Sequence, residues 1–354
     1  MARRLLLALA LATLVAVSGS AQTGVLDIYF IDTEGGQATL LKTPSGETLM
    51  FDTGFAGLDT NNPDKEAGRD AARIAEVAKV AGVKQIDTLV VSHYHGDHVG
   101  GVTNLAAILP VRRFVDHGAS VQDVEPLRQK VGMYSELYEA EFKKGQHQVV
   151  VPGDKVAMKD LDITVVQALG KSIERAGPAN PGCEGVPQRQ GGNPEDSASV
   201  GVVVRFGKFT YANFGDLPWN MELQLLCPTN RVGVLDVYEA ARHGNEPSPA
   251  AYAMAPRVVV YGNGARKGGG PAPLKAFRGS PGLEDIWQRH KNVPGGAEGN
   301  PADEFSANLQ DTDQTNHPAH YLKVTARNDG SFSVYNSRTN MTKAYGARGA
   351  AATR

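Results

Sequence analysis

Directly behind an apolar run of β-formers (TLVV, residues 88–91) the chain reads SHYHGDHVGG, which places His93, His95, Asp97 and His98 within six residues of a protein with nine histidines in all. The apolar run reads as a buried strand, so the cluster falls on the loop that follows it. His93 and His95 are two apart, and in extended backbone their imidazoles point the same way. Asp97 and His98 follow across the turn made by Gly96. Such a cluster offers two separate metal positions. Neutral imidazole and carboxylate suit zinc, iron or manganese, and no thiolate lies nearby to narrow the choice.

The rest of the chain supplies the scaffold such a loop needs. VLDIYFID, QATLLKT and ETLMFDTG read as a strand meander bounded by glycine and Pro-Ser-Gly turns. RDAARIAEVAKVA, residues 69–81, has apolar residues at helical spacing, and Gly82 stops it. VRRFVD is a strand, and residues 124–144 predict a long helix with Pro126 in its first turn. In the second half DKVAMK pairs with LDITVVQA, SVGVVVRF turns near Gly207 into KFTYANFGD, and residues 219–226 form a helix. VGVLDVYEAARHG and PRVVVYGNG follow as strand-plus-loop units, and HYLKVTARNDGSFSVYNS closes as a hairpin turning at Asn328-Asp329-Gly330. Two halves of strands followed by helices predict an α+β fold, a pair of packed sheets with helices outside. Two loops interrupt this pattern. Residues 171–195 hold five glycines and four prolines, and residues 262–300 are also glycine-rich; both read as lids or insertions.

The N-terminus begins with Arg3 and Arg4, continues through LLLALALATLVAV and ends in SGSA, the layout of a secretory signal peptide over residues 1–21. Residues 22–354 then form the functional domain, secreted or periplasmic, with no stable membrane anchor after cleavage. Losing both arginines takes the formal charge from −2 to −4, so no global basic field recruits nucleic acid. Cys183 and Cys227 would sit in an oxidising compartment, as one disulfide or as two thiols.

H-x-H-x-D-H at residues 93–98, with DTG at residues 52–54 upstream, resembles the metallo-β-lactamase superfamily. The likeness is closest to the branch that contains the hydrolase domain of DNA-uptake competence proteins, whose opening strand and glycine turn LDIYFIDTEGGQATLL resembles; Glu34 and Gln37 depart from that branch's pattern. The resemblance implies an αββα sandwich and two divalent metal ions, zinc with manganese or iron as alternatives. It implies Asp216, in YANFGDLPWN, as the carboxylate that bridges both ions, and His243, in AARHGNEPS, as the ligand that completes the second site. The histidine that many members carry before the bridging aspartate is missing, and Asp196 or Ser197 stands in its region, with Asp196 as an additional ligand. His117 is a pocket residue at the same rim.

The activity implied is metal-assisted hydrolysis by a metal-bound hydroxide. Asp97 ligates and holds the nucleophile, and Asp52 fixes the cluster loop by hydrogen bonds without binding metal. A bridging Asp216 argues against β-lactam cleavage and leaves esters, lactones, thioesters and phosphodiesters. Residues 257–291 carry seven basic against two acidic side chains, a surplus that on a loop beside the site could receive a phosphate backbone. Three readings are therefore open: a secreted dinuclear hydrolase of phosphodiester or other ester bonds, a nuclease of the DNA-uptake type, and a non-catalytic metal-binding module.

Overall fold

The computed structural model describes residues 24–57, 66–189, 192–311 and 318–349; the signal-peptide reading of residues 1–21 lies outside them. Two mixed sheets face each other. The first has nine strands in the order Met341–Tyr345, Phe332–Asn336, Tyr321–Ala326, Leu26–Ile31, Thr39–Lys42, Thr48–Phe51, Thr88–Val90, Arg113–Asp116 and Gln146–Val149. The second has eight, in the order Ser306–Asn308, Asp285–His290, Val258–Tyr261, Val237–Ala240, Phe209–Asn213, Gly201–Phe206, Asp162–Ala168 and Lys171–Ser172. Each sheet is part antiparallel and part parallel. In the first, parallel pairing begins where Thr48–Phe51 meets Thr88–Val90; in the second it begins where Phe209–Asn213 meets Val237–Ala240.

Strand periodicity explains the layering. Ile28 and Phe30 point into the core between the sheets, whereas Tyr29 and Ile31 point to the outer face under helices; Val202, Val204 and Phe206 face inward while Val203 faces out. Strands buried on both faces read as nearly continuous apolar runs, which is why they are visible in the sequence. The first sheet's outer face is covered by Ile74 and Val77 of helix Arg69–Val80, Leu105 of helix Val102–Ile108, and Val131, Tyr134 and Tyr138 of helix Leu127–Phe142. Leu223 and Leu226 of helix Trp219–Leu226, with Leu274 and Phe277 of helix Pro271–Arg278, cover the second. The result is the expected helix, sheet, sheet, helix sandwich.

Four local expectations change. DKVAMK is no strand: it contributes one isolated bridge, Lys155 to Thr164. The long helix starts at Leu127, with Pro126 just outside it. The 262–300 loop contains helix Pro271–Arg278, started by a proline at its first position, and strand Asp285–His290. Of the 171–195 segment, the described residues up to 189 are tied down by a Cys183–Cys227 disulfide, by the Arg189 guanidinium 3.4 Å above the Trp219 ring, and by Asn180 Nδ2 donating to the carbonyls of Leu226 and Ala250. No helix among the described residues is long and apolar enough to cross a membrane.

Candidate metal centre

The predicted site residues converge at one edge of the sandwich, where the parallel strands of both sheets end. Asp52 follows strand Thr48–Phe51 in a left-handed conformation (φ 59°). Its carboxylate accepts from the backbone N–H and hydroxyl of Ser92, each at 2.7 Å, and lies 2.7 Å from His98 Nδ1. A carboxylate on Nδ1 fixes the ring so that Nε2 faces the site. Asp52 thus holds the start of the cluster loop through Ser92 and lies against the His98 ring.

Two groups of ligand-type atoms form. His93 Nε2 lies 2.9 Å from His95 Nδ1, and Asp196 Oδ1 lies 2.9 Å from His95 Nδ1 and 3.6 Å from His93 Nε2. In the second group His98 Nε2 is 3.4 Å from Asp97 Oδ2 and 3.3 Å from Asp216 Oδ1, while His243 Nε2 is 3.0 and 3.4 Å from the same two oxygens. The groups adjoin: the His93 and His98 rings are 4.1 Å apart. His243 Nδ1 donates to the Gly262 carbonyl at 3.0 Å, which leaves Nε2 pointing inward. Arg242 and His243 are both left-handed (φ 53° and 60°), an uncommon backbone that re-aims the chain at the strand end. Gly215 (φ 56°) brings the Asp216 turn of the second sheet onto Ser92 of the first; a Cβ there would lie 2.7 Å from Ser92 Cβ.

The metal reading can be tested on atoms that have nothing else to bind. His98 Nε2, His243 Nε2 and Asp196 Oδ1 are buried and make no hydrogen bond. Their neighbours are close but not aligned for one, so these atoms converge on a common space instead of satisfying each other. A buried polar atom left unpaired costs about 1–3 kcal/mol, and a cation with imidazole and carboxylate ligands removes that cost. The residues present fit divalent ions.

The electrostatics agree. Burial would raise the carboxyl pKa of Asp97, but Lys267 and His98 hold it well below the usual range; His243 and His98 do the same for Asp216. Burial, then the neighbouring His98 and His95, pushes His93 well below the ordinary histidine value. For His98 burial acts downward but Asp216, Asp97 and Asp52 outweigh it, and the pKa lies well above. The site holds dense negative charge that protons on imidazoles or metal ions neutralise.

His117 joins neither group. Its Nε2 lies 3.0 Å from the buried Glu195 carboxylate, which also accepts from the backbone N–H of Tyr94 and of Val121, each at 3.0 Å. Glu195 and His117 thus brace the turn that presents Asp196, and nothing in the local sequence marks Glu195 for that role. The same holds for Asn193, whose Nδ2 lies 2.9 Å from His95 Nε2, and for Lys267, which contacts Asp97. Beneath the site, Glu239 accepts from Gln37, Thr39 and Asn213 and pairs with the fully buried Arg289.

The basic surplus of residues 257–291 is not displayed as one loop. Arg289 is buried against Glu239, Arg257 pairs with Glu284, Arg266 with Asp311, and Lys291 with Asp303. A third group, Asp32, Glu34 and His290, is also buried, but Arg69 and Arg73 already hold Glu34 at 2.9 and 2.8 Å.

Residues 31–181 match the family model of the metallo-beta-lactamase superfamily. Similar solved structures include the metallo-beta-lactamase fold protein YhfI of Bacillus subtilis, at 11% identity over 75% of this chain and 95% of that one, with a TM-score of 0.42. Igni18, a metallo hydrolase of Ignicoccus hospitalis, is 14% identical over 67% of this chain and 81% of its own, with a TM-score of 0.37. The diiron beta-hydroxylase CmlA of Streptomyces venezuelae is 11% identical over 71% of this chain and 46% of its own, also with a TM-score of 0.37. A comparison with curated proteins returned no match. Residues 31–181, less than half of the chain, thus resemble the metallo-beta-lactamase superfamily, and two mixed sheets between helices are the architecture that the resemblance implies.

Proposed function

We propose that this chain is a secreted or periplasmic metal-dependent hydrolase that works with two divalent cations on ester or phosphodiester bonds. The observation that carries the reading is the convergence of His98 Nε2, His243 Nε2 and Asp196 Oδ1, buried and without hydrogen-bond partners, in two adjoining groups. His93, His95 and Asp196 would hold one ion, and Asp97, His98, Asp216 and His243 would hold the other. Bound there, the pair would lower the pKa of water towards neutrality and polarise a carbonyl or phosphoryl oxygen.

The chain's own residues do the rest. Asp52 and the Gly262 carbonyl fix the rings of His98 and His243, so the ligand atoms are aimed before an ion arrives. Asp97, kept anionic, orients the attacking water and accepts its hydrogen bond. The scaffold excludes bulk water from the ligand side, where His93 and His98 are fully buried. Zinc is the first expectation, and a carboxylate in place of a third histidine in the first group leaves manganese or iron open. The disulfide and the N-terminal leader pattern support an oxidising compartment.

The test is metal content per chain, paired with turnover of a generic phosphodiester and a generic carboxylic ester before and after chelation. Two ions per chain with chelator-sensitive turnover are expected. One ion or none, with no turnover, would overturn the dinuclear mechanism.

A further inference from the structure

The apolar stripe of helix Leu127–Phe142 runs one turn past the core it covers. Val131, Tyr134 and Tyr138 are buried against the first sheet. Leu127, four residues before Val131 and on the same helix face, finds no sheet beneath it and is 43% exposed. Below it lies a cavity of about 180 Å³ lined by Leu127, Lys130, Val131 and Tyr134 on one side and by His95, Gly96, Asp97 and Asn193 on the other, its exposed lining mostly apolar although Lys130 and Asp97 stand at it. The metal loop is thus one wall of an apolar recess. The two walls are locked together, because the Tyr134 ring packs where a side chain at Gly96 would be: a Cβ there would sit 2.6 Å from Tyr134 Cε2.

We infer that this recess is a substrate subsite for an unbranched or aromatic apolar group joined to the bond that is hydrolysed, so that the preferred substrates are esters with a hydrophobic substituent. The inference rests on the proposed hydrolase reading for its reaction, and on the recess alone for its specificity. His95 lines both the recess and the first candidate ligand group, so a group seated against Val131 and Tyr134 lies beside that group. At about 30 Å³ for each small group, the volume takes roughly six methylenes. Each one buried improves binding roughly fourfold, the equivalent of about 0.8 kcal/mol.

The experiment measures binding, not turnover. Straight-chain carboxylates from acetate to decanoate are titrated calorimetrically into the metal-loaded protein and into Leu127→Gln, an exposed position whose change leaves the core intact. A parallel series of nitrophenyl esters is assayed for hydrolysis. The expected result is affinity that rises roughly fourfold per methylene and levels off near six to eight carbons. In Leu127→Gln the hexanoate affinity falls several-fold and that of acetate is unchanged. Affinity independent of chain length, or a length dependence that survives both Leu127→Gln and the filling variant Val131→Phe, would overturn the subsite. A chain-length series without ester turnover would leave the subsite standing and remove carboxylic esters from the hydrolase reading; turnover with a flat series would overturn the subsite and leave that reading standing.

Discussion

Replacing Asp52 by asparagine tests how the site is held without touching a metal ligand. One carboxylate oxygen takes the Ser92 N–H, and the other receives both the Ser92 hydroxyl and His98 Nδ1. Asparagine can keep the first of these bonds, but its amide nitrogen must then face His98 Nδ1. Two N–H groups cannot point at each other, so Nδ1 gives up its proton and the imidazole takes the tautomer with hydrogen on Nε2, the atom proposed to bind the ion. The charge-assisted hydrogen bond between Asp52 and His98, two fully buried side chains, is worth about 1.5–3 kcal/mol. Its removal corresponds to a 10- to 100-fold weaker affinity for one ion, the range found when groups behind metal ligands are changed. Competition against a chromophoric chelator would show one of two ions weakened by that factor, with the other unaffected and the near-UV circular dichroism unchanged. Two affinities within twofold of wild type would refute the claim that Asp52 sets the His98 tautomer.

Asp196→Ala and His243→Ala are each expected to lower bound metal from two ions per chain to one, measured by elemental analysis after gel filtration; two retained ions would remove that residue from the ligand set. Burial lifts the Glu222 pKa from its ordinary 4.5 to about 7, although Ser248 donates to it twice. The folded state then binds the proton more tightly than the unfolded one, so stability falls as pH rises from about 4.5 to 7, by up to about 3 kcal/mol. Asp70, raised to about 6 by burial, declines over part of the same range, so urea unfolding should show a steeper decline in wild type than in Glu222→Gln, and parallel slopes would refute it. The Cys183–Cys227 bridge closes a 44-residue separation, for which loop entropy gives about 4 kcal/mol as an upper figure. A double-serine variant should lose a large part of that in the same assay, and wild-type stability would contradict it.

The strands and helices that are legible in the sequence are those whose burial is apolar. Residues 26–31, 201–206 and 258–261 announce themselves because both of their faces are covered by hydrophobic neighbours. Strand Asp285–His290 is not legible, since Gln288, Arg289 and His290 look like solvent residues and are fully buried. Their burial depends on partners far away in sequence: Arg289 needs Glu239, and Gln288 needs Asn300 and Ser306. The same cause hides part of the site. The cluster at residues 93–98 is local and visible from spacing. Glu195 and Lys267 act on residues about 80 to 170 positions away, through contacts that only the packing of two sheets creates.

That packing also explains why the centre sits where it does. His93, His95, Asp97, His98 and the supporting Asp52 belong to the first sheet, whereas Asp196, Asp216 and His243 belong to the second. Eight ionisable groups meet at an edge that no apolar contact could hold closed, and three of their atoms make no hydrogen bond although they lie within ion-pair distance of their neighbours. At about 1–3 kcal/mol each, those atoms weaken the edge by an amount comparable to a domain's whole net stability of about 5–15 kcal/mol. The arrangement persists because the core between the sheets, from Phe30 and Val90 through Val204 to Trp287, fixes the strand ends independently of the site. Ions that bind only the folded chain add stability in proportion to the logarithm of their concentration over Kd, about 4 kcal/mol at a thousandfold excess. The centre is thus carried by a scaffold that does not need it, and it becomes a brace between the sheets once it is filled.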